Sequence, residues 1–202
     1  MWCGVVSCVV SPEQQDVYAT QYGEFVVLRA QQPGKLGDMD IDLDDRRTIN
    51  LVLWESRAAH DAVHPRLLPE YNRLVRPLLD GTTTFLGAGD VTEDSLSTAV
   101  LPADRHVHAF VNEAVIAPDQ RAAYEEQHRE LSAARARQPG FCGAIEFDAG
   151  EGRMVWVAVW ESHEALQAAR DALRSVIDRV HVPVSSRAAL GSGIVVRNTI
   201  SG

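Results

Sequence analysis

The sequence is short of cysteine and of long apolar stretches, and each shortage closes off a class of function. Its three cysteines, Cys3, Cys8 and Cys142, form no CxxC pair, which removes zinc-ribbon spacing and fits a reducing compartment. They read as small buried apolar residues. No uninterrupted apolar run approaches the ~20 residues that a membrane helix needs. The opening MWCGVVSCVVSP has no basic residue ahead of its apolar stretch and meets a helix-start signal at once, so it reads as a strand and the protein is expected in the cytoplasm. Neither GxGxxG nor a phosphate-binding loop is present, because Gly87-Ala-Gly89 stops short of both patterns. Lysine and arginine total 19 against 28 acidic residues, a formal charge of -9, which argues against nucleic acid or an anionic membrane as partner. A small neutral or aromatic ligand stays open.

What is present is a repeat. RAQQPGKLGDMDID in the first half answers RARQPGFCGAIEFD in the second, and LVLWESRAA answers VAVWESHEA. Pro33 and Pro139, Gly34 and Gly140, and Trp54 and Trp160 all stand 106 residues apart, with no gap between them. Tyr18 with Tyr124, Gly37 with Gly143 and Arg47 with Arg153 keep the same phase, and roughly twenty aligned pairs are identical. The chain is therefore read as residues 1–88, a polar linker at 89–105, and residues 106–202. With 46% hydrophobic residues, 202 positions can bury a sizeable core.

Each repeat reads as strand, helix, strand, strand, helix, strand. Cys3 to Val10 is β-branched, Ser11-Pro12-Glu13 opens a helix to about Gln31, and Pro33-Gly34 breaks it. Met39, Ile41 and Leu43 alternate with Asp38, Asp40 and Asp42, which predicts a strand with one buried and one wet face. Thr48 to Trp54 returns, Ser56 caps a second helix, and Thr82 to Leu86 closes the unit. The second copy runs from His106 to Ile116, then a helix from Pro118, a hairpin from Phe141 to Trp160, a helix from about His163 and a strand at Gly193 to Arg197. The order βαββαβ is ferredoxin-like, with two helices on one face of a four-stranded sheet and the other face in need of cover.

Trp54-Glu55-Ser56 and Trp160-Glu161-Ser162, each where a hairpin strand turns into a helix, together with the Gln-Pro-Gly ahead of each hairpin, resemble the antibiotic biosynthesis monooxygenase family. The resemblance implies an α+β fold in which two tandem ferredoxin-like (βαββαβ) repeats form an intramolecular dimeric α+β barrel. It implies an internal pseudo-dimer, with further homodimerisation left open, and pockets between each sheet and its helices. Members similar in this way include cofactor-free oxygenases that turn phenolic polycycles into quinones, haem-degrading enzymes and small-molecule binders. Fold does not choose among them.

Asn50, Val52 and Trp54 share one strand face, and this Asn-x-x-x-Trp is similar to the arrangement in the quinone-forming members. Without metal or flavin the substrate must itself donate an electron to O2, which a phenolate does far better than a phenol. An asparagine amide can hydrogen-bond the oxyanion, an indole can stack on the rings, and a base must take the proton. His60, early in the second helix, is the candidate base, since imidazole titrates near neutrality. The competing reading puts His60 and His64 on a solvated face, and as a metal pair they lack a third ligand. In the second repeat Trp156 stands at the position of Asn50, while Asn112 on the first strand supplies another amide. The expected catalytic set is Asn50, Trp54, His60 and Asn112, and the expected substrate-binding set is Tyr22, Trp156, Trp160 and His128. Core packing is the bland alternative for the tryptophans.

No cofactor is expected beyond O2 as co-substrate, and no metal. The reading is a monooxygenase acting on a polyketide-type aromatic. Haem degradation is disfavoured because the Trp and His it implies in the second helix are Val63 and Arg73, then Ala169 and Arg179. A binding protein whose pockets are filled by side chains is the rival, and a cavity of ~300 Å³ or more lined by Asn50 or Asn112 would count against it.

Overall fold

The computed structural model describes residues 1–43, 46–81, 83–99, 101, 107–180 and 185–200. The first repeat contains β1 (Trp2–Val9), α1 (Gln15–Ala30), β2 (Lys35–Leu43), β3 (Arg47–Trp54), α2 (Arg57–Leu74) and β4 (Thr84–Asp94). The second contains β5 (His108–Ile116), α3 (Arg121–Ala136), β6 (Phe141–Gly150), β7 (Arg153–Trp160), α4 (His163–Val180) and β8 (Ser185–Asn198). The fold is mixed α+β, built of two ferredoxin-like repeats in the expected order. No described helix is long and apolar enough to cross a membrane. His106, expected to start a strand, and Thr82, expected to start another, lie outside the described residues.

The chain divides into two compact units, Met1–Asp90 with Val196–Ile200, and Val91–Val195. In the first, antiparallel pairing runs β4-β1-β3-β2, and Thr199 N donates to Asp38 O beside β2 at 2.8 Å. In the second it runs β8-β5-β7-β6, and Val91, Glu93 and Asp94 at the end of β4 pair with Phe147, Glu146 and Ile145 of β6. Both closing strands are longer than their composition suggests, and β4 runs through the first part of the expected linker. Backbone hydrogen bonds to a neighbour hold Gly87 to Asp94 extended although its side chains have little strand preference.

The two strand ends dock in the same way. Asn198 Oδ1 accepts from Ile200 N at 3.1 Å, as Asp94 Oδ1 accepts from Leu96 N at 3.0 Å. Thr199 Oγ1 accepts from Asp38 N at 2.8 Å, as Ser95 Oγ accepts from Ala144 N at 3.0 Å. Arg197 of the first unit therefore stands where Glu93 stands in the second.

Local rules account for much of the helix placement. Ser56 Oγ accepts from Ala59 N at 3.1 Å and caps α2. Pro12 and Pro118 each open a short 3-10 turn instead of the α-helix itself, and Ser11 makes no capping bond. α1 and α2 lie on one face of the first sheet, where Tyr18, Tyr22, Phe25 and Val26 pack with Trp54, Val63 and Leu67. The opposite strand face carries Met39, Ile41, Ile49, Leu51 and Leu53, all fully buried.

Of the wet face expected on β2, only Asp42 is exposed. Asp38 and Asp40 are 0% and 2% exposed, because α1 covers them and supplies the counter-charge. Arg29 reaches Asp38 at 2.9 Å and Lys35 reaches it at 3.1 Å. A strand of alternating carboxylates looks solvated in sequence, yet buried carboxylates are tolerated once cations and donors surround them. Lys35, the only lysine of the chain, also donates to the carbonyls of Gly37 and Leu53 and lies 5.5 Å from the centroid of the Trp54 ring.

Two predictions follow from this packing. A Cβ on Gly143 would meet Leu96 Cα and Ser95 O at 2.9 Å, both backbone atoms, so Gly143→Ala should destabilise by about 1–3 kcal/mol in urea unfolding; an unchanged midpoint would show that the docked strand end yields. Burial, against the pull of Asp38, brings the Lys35 ammonium down to about 8 from 10.5. Stability should therefore rise between pH 8 and 10.5, where the unfolded chain holds a proton that the folded chain has lost. The single lysine ε resonance should titrate near 8 by NMR, and a midpoint above 10 would refute this.

Candidate functional site

The first unit contains a cavity of about 810 Å³ between its sheet and α2. Trp2, Val6 and Val52 line it from the strands together with Trp54, while α2 contributes His60, His64, Leu67 and Tyr71, and α1 contributes Phe25 and Arg29. Strand alternation puts Val52 and Trp54 on the helix side, and Ser56 starts α2 so that its first turn passes over them. His60 is thereby carried to the cavity wall, its ring 4.5 Å from that of Trp2 and 5.7 Å from that of Trp54. His60 Nδ1 lies 2.9 Å from Asp61 Oδ1, and that hydrogen bond draws the Asp61 carboxyl below its usual range. With Nδ1–H given to Asp61, Nε2 is the acceptor nitrogen.

Asn50 is close by but does not line this cavity. Its Nδ2 donates to Asp40 Oδ1 at 2.8 Å and its Oδ1 lies 3.7 Å from the Cys8 thiol. Tyr22 O–H donates to the same Asp40 oxygen at 3.2 Å, Arg29 donates to the Tyr22 oxygen at 3.1 Å, and Arg197 reaches Asp40 Oδ2 at 3.1 Å. Burial drives the Tyr22 hydroxyl and the Asp40 carboxyl above their usual ranges, the Asp40 shift being opposed by Asn50 and Arg197. Of the expected first-repeat set, the structure brings Trp54 and His60 together and holds Asn50 and Tyr22 in a neighbouring polar network that meets the cavity at Arg29. Trp2 and Arg29 were missed by sequence reasoning. Trp2 precedes any periodic signal, and Arg29 lies within the first helix with its partners remote in sequence.

The corresponding region of the second unit is packed with side chains. Phe110 stands at the position of Gly4 and Leu166 at that of His60, and they pack with Trp160, Ala169 and Phe141. Arg170, in place of His64, lies over the Phe110 ring at 5.2 Å. Trp156 is buried with Ala114, Ile116, Tyr124 and Met154. Neither Trp156 nor Trp160 lines either of the unit cavities described here, and Asn112, 5% exposed on β5, does not either. A smaller cavity of about 560 Å³ lies elsewhere in this unit, lined by Thr92, Glu93, His128, Ser132, Glu146 and Met154 among others. His128, expected to bind substrate, stacks on Tyr124 at 5.4 Å and faces Glu93 and Glu146.

Comparison with known proteins agrees with this architecture. Residues 108–173 match the model of the antibiotic biosynthesis monooxygenase family. A candidate monooxygenase of Fusobacterium nucleatum superposes with a TM-score of 0.78 at 11% identity, covering 98% of this chain and 93% of its own. One from Lactobacillus acidophilus gives 0.71 at 11% identity, with coverages of 97% and 93%. An anthrone oxidase-like protein gives 0.68 at 16%, with 98% and 92%. A search of curated protein sequences returns no significant match. At these identities the superpositions bear on fold. The family match thus falls within the second repeat, at residues 108–173, and the first repeat is the in-chain counterpart of that stretch.

Proposed function

We propose that the protein is a cofactor-independent monooxygenase that oxidises a polycyclic, polyketide-type phenol to a quinone, and that the first unit is the reacting half. The observation that carries this reading is an aromatic-walled cavity of about 810 Å³ holding a histidine whose Nδ1 is engaged by a carboxylate. The volume suits a fused-ring substrate, and the part-buried Trp2 indole offers a stacking surface while Trp54, 2% exposed, closes the wall.

In this reading His60 Nε2 takes the phenolic proton and Asp61 stabilises the imidazolium that results. Arg29, a buried cation on the cavity wall whose Nε has no acceptor among the described residues, stabilises the phenolate. The phenolate passes one electron to O2. The substrate radical and superoxide combine at a ring carbon, the peroxide anion takes back the proton held on His60, and the hydroperoxide loses water together with the hydrogen of that ring carbon to leave the new carbonyl. One oxygen atom enters the product, the other leaves as water, and the ring supplies the electrons. Asn50 and Tyr22 are then positioning residues, acting through Asp40 to hold Arg29.

The second unit supports the assignment by contrast, since Leu166 removes the base and Phe110 occupies the space of Gly4. With an anthrone or a naphthol as probe, the metal-chelated protein should consume O2 and form quinone. His60→Gln should lower kcat at neutral pH by about 10²–10⁴-fold and recover part of it as the pH nears the phenol's own pKa. A rate loss with an unchanged pH profile would reject His60 as base. Gly4→Phe, which copies Phe110, should abolish aromatic binding; retained binding would place the substrate elsewhere.

A further inference from the structure

We infer that the second unit contains a binding site for a first-row divalent metal ion, formed by Glu93, His128 and Glu146. The site is separate from the cavity assigned to oxidation and does not depend on that assignment. His128 Nε2 lies 2.6 Å from Glu146 Oε2 and 3.3 Å from Glu93 Oε2, and the three candidate ligand atoms all fall within 4.8 Å of one another. Ligands bound at 2.0–2.2 Å around such an ion are separated from each other by about 3–3.4 Å, so small adjustments suffice.

The surroundings aim these atoms. Arg135 donates to Glu93 Oε1 at 3.0 Å and Thr92 Oγ1 donates to Glu146 Oε1 at 3.3 Å, so both carboxylates turn Oε2 towards the imidazole, Glu93 Oε2 also accepting from Ser132. Ser132 Oγ, 2.6 Å from Glu93 Oε2 and 3.1 Å from His128 Nε2, adds a hydroxyl at the same point. Such outer contacts fix ligand orientation in metal sites. Glu146 is 4% exposed, and its Oε2 accepts no well-formed hydrogen bond among the described residues. The cavity of about 560 Å³ beside these groups offers an entry path and room for water ligands.

The first unit shows what is missing. There Tyr22 stands for His128, Asp40 for Glu146 and Arg197 for Glu93, and the Arg197 guanidinium supplies a cation 3.1 Å from Asp40. In the second unit that cation is replaced by a carboxylate, leaving Glu93 and Glu146 against Arg135. Arg121 and Arg129 also stand on the cavity wall, and a metal ion or a proton on His128 would add positive charge between the two carboxylates. Imidazole with two carboxylates suits Mn²⁺, Fe²⁺ or Zn²⁺ and is poor in soft donors.

The test titrates the chelator-treated full chain with Mn²⁺ and follows the free ion by electron paramagnetic resonance. One Mn²⁺ should bind per chain. Glu93→Gln and Glu146→Gln should weaken it by about 100-fold or more, while Glu125→Gln, a carboxylate lining the same cavity, should leave it unchanged. Should either ligand variant fail to fold, Zn²⁺ added to the unaltered protein must still shift the His128 Hε1 resonance in NMR. Absence of Mn²⁺ binding and of that shift would overturn the proposal in favour of a buried imidazolium. Binding that survives both folded ligand variants would overturn it in favour of weak surface association.

Discussion

The structure depends on a cation held under the first helix of each repeat. Arg29 and Arg135 are 9% and 5% exposed, and a guanidinium removed from water costs several kcal/mol unless acceptors surround it. In the first unit Asp38 and the Tyr22 oxygen meet Arg29; in the second Glu93 meets Arg135. The helix is thus seated over the sheet by charge as well as by apolar contact. Burial would push Glu93 up, but the bond from His128 and the Arg135 charge hold it down at about 2. Whatever else the repeats do must accommodate this seam, and its remaining polar atoms are where they differ.

That requirement explains why sequence reasoning saw the fold clearly and the site unevenly. The repeat offset, the Pro-Gly breakers and the Ser56 cap are local features, and each fixes an element boundary by backbone geometry or a single hydrogen bond. Trp54 and His60 were legible because strand alternation and helix start fall six residues apart on the same stretch of chain. Asn50 was placed on the correct face, but its partners Asp40 and Arg197 are remote in sequence, so its enclosure was not visible. Asp38 and Asp40 misled for the same reason. A period-two run of carboxylates reads as solvent-facing until a helix arginine 9 residues earlier is known to lie over it. Glu93 was hidden further still, in a segment whose glycines and acids resemble a linker.

The differences between the units are few and chemically coherent. Gly4 leaves the space that Phe110 fills, and His60 is a titratable group where Leu166 is not. Tyr22 and Arg197 close the first seam with a phenol and a guanidinium, whereas His128 and Glu93 put an imidazole and a carboxylate at the same places in the second. The first unit has its apolar cavity against α2 and a satisfied polar seam under α1. The second has a filled region against α4 and a cavity under α3 whose charged lining mixes Glu93, Glu125 and Glu146 with Arg121 and Arg129.

Fusion of the repeats makes this division achievable. In a homodimer every substitution appears in both halves, so a phenylalanine that fills one cavity fills its mate. In a single chain Phe110 can close one cavity while Gly4 keeps the other open, and Glu93 can replace an arginine that the first unit retains. The side chains that fill the region against α4, Phe110 and Leu166, and the carboxylate at Glu93 lie in the same unit but at different places in it, so neither change requires the other. The pattern of substitutions, with aromatic filling and the Glu93 carboxylate in the same unit, is what specialisation after duplication produces.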